Sequence, residues 1–123
     1  MPTPEQMEAA VHTYVAAFAK GDPAMAAAIF AEDAVVEDPI GAAPRIGHAA
    51  ILEFYTQSMA TGATLHLQGP VRLAAAHAAF AMQVHLHWDG KDMVIDVIDT
   101  FAFDEAGKVK LMQAYFGPGN MHG

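Results

Sequence analysis

In residues 93 to 103, Met93-Val94-Ile95-Asp96-Val97-Ile98-Asp99-Thr100-Phe101-Ala102-Phe103, every second side chain is apolar with a single exception. Such a run reads as a β-strand with one face committed to a core. The odd positions Met93, Ile95, Val97, Phe101 and Phe103 are all apolar, and Asp99 stands in their midst. An ionised carboxylate there loses its hydration, so the group must find a cation or keep its proton. No Lys, Arg or His shares that face. A carboxylic acid that keeps its proton in an apolar pocket is a hydrogen-bond donor, and donors of that kind stabilise developing oxyanions. The strand thus constrains the fold, which must cover this face, and the chemistry, which must account for the acid.

The covering layer is expected from the first half of the chain. Thr3-Pro4-Glu5-Gln6 has the form of a capped helix start, and Met7, Val11, Tyr14, Val15 and Phe18 recur at helical spacing until Gly21. Asp22-Pro23 opens an alanine-rich helix expected to reach Phe30 or Ala31. Ala34 to Asp38 reads as a short extended piece ended by Pro39, and residues 40–46 as a loop. Gly47 or His48 opens a third helix with Ile51, Phe54, Tyr55 and Met59 on one side. Beyond Gly62 the period becomes two, which predicts strands over 63–68, 70–75, 78–88, 93–103 and 108–116, with tight turns at Asp89-Gly90 and Ala106-Gly107. Helices first and antiparallel strands after predict an α+β fold with the helices on one face of the sheet.

Alternation also assigns the faces. Phe80, Met82, Val84, Leu86 and Trp88 point one way, and Ala79, Ala81, Gln83, His85 and His87 the other. On the last strand Met112, Ala114 and Phe116 oppose Val109, Leu111, Gln113 and Tyr115. The second face of the sheet is half apolar, through Val94, Ile98 and Ala102 among others, so a homodimer through this outer face is expected.

A chain of 123 residues fits one domain spanning 1–123. With 54% hydrophobic and 16% charged residues it calls for a large internal pocket or a buried interface. The formal charge of −8, from 14 acidic and 6 basic residues without a Lys/Arg cluster, argues against a nucleic-acid partner. No apolar run approaches the ~20 residues that span a bilayer, and an N-terminus with Glu5 and Glu8 lacks the form of a signal peptide. A cytoplasmic protein with no membrane partner is the expectation. The absence of cysteine excludes disulfides and thiolate chemistry.

Three groups join Asp99 as candidates. Asp38, in Val35-Val36-Glu37-Asp38-Pro39-Ile40-Gly41, lies where strand becomes loop, and reads either as a solvated acid before a proline turn or as a general base shielded by apolar neighbours. Tyr14 and Tyr55 fall on apolar helix stripes, where a phenol is ordinarily a core residue with a backbone acceptor. Together, two buried phenols, a misplaced acid and a loop carboxylate are the parts of a proton-transfer site.

The chain resembles, almost end to end, the bacterial Δ5-3-ketosteroid isomerase family, whose members have the cone-shaped nuclear-transport-factor-2-like fold. The resemblance is carried by His12-Thr13-Tyr14-Val15, Gly21-Asp22, Val36-Glu37-Asp38-Pro39, Glu53-Phe54-Tyr55, Gly69-Pro70-Val71-Arg72, Asp96-Val97-Ile98-Asp99 and Met112-Gln113-Ala114-Tyr115. The Glu-Asp-Pro element alone is shared by relatives with other activities; combined with Tyr14 and the Asp-Val-Ile-Asp strand at this spacing it is specific. The resemblance implies three N-terminal helices on a curved, mainly antiparallel sheet and a steroid substrate. It implies Asp38 as the base that moves a proton, Tyr14 and a protonated Asp99 as donors to the 3-oxygen, and Tyr55 as donor to Tyr14. The neutral acid is that family's own known instance of a tuned carboxyl group. It further implies a pocket lined by Phe54, Phe80, Met82, Val84, Leu86, Phe101, Met112 and Phe116, with no metal or organic cofactor. Two departures stand out: Phe30 replaces a third tyrosine of some members, and Phe116 a tryptophan of others.

Two rival readings stay open. One is another enzyme on the same fold, a polyketide cyclase or lyase that reuses Asp38. The other is a non-catalytic module for apolar ligands or proteins, which gains nothing from a buried acid. Separately, His85 and His87 share a strand face opposite to Asp99, with His66 on a neighbouring strand. A metal site there is the weaker reading; a histidine cluster at the dimer interface, making assembly pH-sensitive, is the stronger.

Overall fold

The computed structural model describes residues 1–123. Helix α1 runs from Pro4 to Lys20, α2 from Pro23 to Ala27, and α3 from His48 to Ala60. The strands are β1 (Phe30–Glu37), β2 (Arg45–Ile46), β3 (Thr64–Leu67), β4 (Arg72–Ala74), β5 (His77–Trp88), β6 (Lys91–Phe103), β7 (Val109–Tyr115) and β8 (Met121–His122), with a 3₁₀ turn at Pro118–Asn120. They form one curved sheet in the order β2-β1-β7-β6-β5-β3, with β4 also pairing with β5 and β8 with β6. Every pairing is antiparallel except β1 with β7. This is the expected α+β cone: three helices packed on an open curved sheet.

Local chemistry sets the elements. Thr3 accepts from the Gln6 amide at 3.1 Å while the Gln6 side chain accepts from the Thr3 amide at 2.8 Å, closing the capping box at the start of α1. Gly21, at φ 63°, ends that helix in the left-handed conformation that only glycine adopts cheaply. Buried Met7, Val11, Tyr14, Ala17 and Phe18 form the inward stripe of α1.

Three expectations need correction. The second helix ends at Ala27, not at Phe30 or Ala31, because Phe30 starts β1, pairs with Val109 and stacks on Tyr55. Alanine's helix propensity yields there to strand pairing and aromatic packing. Within the expected loop 40–46, Arg45 and Ile46 form a strand on Val36 and Val35. Val109 belongs to the inner face, fully buried, because the β6–β7 register shifts between Ala102 and Phe103 and reverses the alternation.

Candidate active site

Asp99 occupies the centre of β6, opposite Phe80 on β5 and Ala114 on β7, so strands on both sides fix its direction. It is wholly buried, and neither of its oxygens has a hydrogen-bond partner. It opens into a cavity of about 250 Å³ whose lining is mainly hydrophobic and includes Tyr14 and Asp38. Burial, first, and then the nearby Asp38 push the Asp99 carboxyl well above the usual carboxylate range.

Tyr14 comes from the middle of α1 and Tyr55 from the middle of α3, both fully withdrawn from solvent. The Tyr55 hydroxyl donates to that of Tyr14 at 3.2 Å, and the two rings meet edge to face at 5.6 Å. Tyr14 also packs against Phe18, Phe80 and Phe101, so its ring is held on several sides. Burial raises the proton affinity of both phenols, and the Asp38 and Asp99 carboxyls raise it further. Both are therefore donors, never phenolates, at neutral pH.

Asp38 follows the last residue of β1 and is anchored on either flank. The Gln113 amide donates to Glu37 at 2.9 Å, and the Ile40 N–H donates to the Ala114 carbonyl at 2.9 Å. Pro39, joined to Asp38 by a cis peptide, turns the chain away. Burial pushes the Asp38 carboxyl up to about 6, while the positive charge of Arg45 pulls in the opposite direction. At about 6, Asp38 is mostly ionised at pH 7, whereas burial favours the protonated form of Asp99. The two carboxyl groups share one cavity in environments that differ in how far they favour the proton.

The expected lining divides in two. Phe54, Met82, Val84, Leu86 and Phe116 reach the cavity. Phe80, Phe101 and Met112 do not: they are almost wholly buried beneath it in the core. They share the right sheet face, but the Tyr14 ring of α1 packs on two of them, 5.4 Å from Phe101 and 6.3 Å from Phe80. The wall also contains Phe18, Leu65, Ile95 and Val97, with Ser58, Thr61 and Trp88 among the residues not anticipated. Ile95 and Val97 carried a signal, since they share the face of Asp99; Phe18 lies one helical turn beyond Tyr14. Trp88, at the end of β5, is among the lining residues and is 58% exposed. Thr61 is placed near that end by its carbonyl, which accepts from the His87 N–H at 3.4 Å.

On the outer face, the His66 and His85 rings lie 4.2 Å apart, and both side chains are exposed. Asp96 joins β5 to β8 there, accepting from Gln83 at 3.1 Å and bonding His122 at 3.0 Å. No helix in the structure is long and apolar enough to cross a membrane.

Helices folded over a curved sheet, with an acid-bearing cavity between the layers, define the SnoaL-like class of the nuclear-transport-factor-2-like fold, and the chain belongs to the SnoaL-like domain family, whose pattern matches residues 11–112. Within that class it is 40% identical over 116 residues, 94% of each chain, to the Steroid Delta-isomerase of Nocardioides simplex. The solved structure of the epoxide hydrolase/cyclase-like enzyme SalBIII, described for pyran ring formation in the polyether salinomycin, superposes with a TM-score of 0.91 over 98% of both chains. At 22% identity that likeness speaks for the fold alone.

Proposed function

We propose that the protein is a steroid Δ-isomerase that converts 3-oxo-Δ5-steroids to 3-oxo-Δ4-steroids by intramolecular proton transfer. The observation that carries this reading is Asp99, wholly buried with both oxygens unpartnered, on the same apolar cavity as the Tyr14 hydroxyl and the Asp38 carboxylate. Asp38 removes a proton from the carbon between the 3-carbonyl and the ring double bond. The electron pair left behind is delocalised over the 3-carbonyl and the ring double bond as a dienolate, and Tyr14 and neutral Asp99 both donate to its 3-oxygen. Asp38 then returns the proton two carbons further along and is a carboxylate again. A base of raised proton affinity suits this task, because it must take a proton and give it back. The donors act in a site with few other polar groups, where their contribution is larger than in water. The likeness to the Nocardioides simplex isomerase supports the choice of substrate class.

The test is optical. Mixed with a Δ5-3-oxo steroid, the protein should generate the ultraviolet absorbance of a conjugated enone; no signal at any protein concentration would remove the proposal. Asp38→Asn should abolish most turnover and leave steroid affinity nearly unchanged. Tyr14→Phe should cost on the order of 10²–10³ in turnover, the usual effect of removing an oxyanion donor.

We also propose that a second copy of the chain covers the outer sheet face. Ile98 on β6 and Tyr115 on β7 face one another in register and are each 50% exposed, beside a strip of small and uncharged side chains on β5.

A further inference from the structure

The general base has a neighbour whose position is unusual for its type. Five of the six basic residues, Lys20, Arg72, Lys91, Lys108 and Lys110, are exposed to solvent; Arg45 alone is half-buried. It takes part in none of the ion pairs of the molecule. Its guanidinium carbon instead lies 5.0 Å from the centre of the Phe54 ring, and Phe54 shares the cavity wall with Asp38. The short strand β2 explains the direction of its side chain. Arg45 is paired with Val36 on β1, paired residues project to the same side of a sheet, and Val36 is fully buried. Asp38 is two residues further on and projects that way too. A guanidinium over an aromatic ring is drawn to the ring's negative face, and it is more weakly hydrated than a lysine ammonium.

We propose that Arg45 is a positioning residue of the site: held over Phe54 by β2, its guanidinium supplies the single positive charge that keeps Asp38 a carboxylate. The other titratable groups facing Asp38 all work the other way or not at all. Asp99 on β6 is a second acid, and Tyr14 on α1 and Tyr55 on α3 are neutral phenols that share the same buried space. Glu37, the adjacent acid, is tied to Gln113. Without Arg45, burial alone would act on Asp38 and favour its protonated, inert form. The inference rests on the proposed role of Asp38 as the base.

The experiment is the pH profile of kcat/KM in wild type, Arg45→Met and Arg45→Lys, with folding checked by circular dichroism. In Arg45→Met the acid limb should move upward by about one pH unit, a tenfold loss of kcat/KM well below the midpoint, with KM and the rate at high pH nearly unchanged. Arg45→Lys keeps the charge and should recover most of that shift. Arg45→Gln serves the same comparison should the methionine variant fail to fold. An unmoved acid limb in the neutral variants, or a lysine variant as displaced as they are, overturns the proposal. The titration of a ¹³C-labelled Asp38 carboxyl, assigned with Asp38→Asn, reads the same midpoint without turnover. If wild type makes no enone, the isomerase reading falls while this titration still decides the role of Arg45.

Discussion

Burial favours the protonated form of Asp99, set between Phe80 and Ala114 in the sheet, since no hydrogen-bond partner replaces the water that an anion would lose. That cost falls on folding in a definite pH window. Below the ordinary carboxylate range, Asp99 is protonated in folded and unfolded chains alike and costs nothing. As pH rises above it, the unfolded chain releases the proton while the folded one holds it, so stability is lost until the raised folded value is passed. Urea unfolding of wild type and Asp99→Asn should therefore diverge between pH 4 and pH 8, with the wild type losing ground as pH rises. In turnover the order reverses: Asp99→Asn keeps a donor and should be milder than Asp99→Ala, and equal damage in both would count against the donor role. Asp38 titrates at about 6 in the folded protein, so kcat/KM should fall as pH drops through that value, the side on which the base is lost.

Strand alternation locates the inner face but does not say what lies above each position on it. Phe80, Phe101, Met82, Val84 and Leu86 are indistinguishable by period, yet the first two lie under α1 and the other three under the cavity. Only the crossing of helix over sheet, set by long-range packing, separates core from wall. Phe101→Ala should thus appear chiefly as lost stability, about 3–5 kcal/mol by denaturant unfolding, whereas Leu86→Ala should raise KM with a smaller loss of stability. The same reasoning explains what else was legible. Asp99, the capped start of α1 and the β5–β6 hairpin rest on local signals that hold in the folded chain. The end of α2, the strand at Arg45–Ile46 and the face of Val109 depend on partners remote in sequence, and there local patterns gave the wrong answer. Arg45 escaped notice for that reason, since in the sequence it is one basic residue in a loop of alanine and proline.

For the molecule as a whole, the outer face and the cavity impose separate demands. If a second copy covers Ile98 and Tyr115, Ile98→Glu should shift sedimentation towards the monomer while the far-ultraviolet circular dichroism stays unchanged. The rings of His66 and His85 lie 4.2 Å apart on that outer face. If this pair contributes to the proposed assembly, dimer dissociation constants should differ between pH 5.5 and pH 8, and identical values would exclude a histidine contribution.

The exposed Trp88 on the cavity wall has a practical consequence. If the cavity takes a steroid by its 3-oxygen at Asp99, the opposite end would point along β5 towards the β5–β6 turn. A dye or matrix joined to that remote ring through a linker would then lie away from the groups that hold the carbonyl, and Trp88 would serve as a fluorescent reporter beside it.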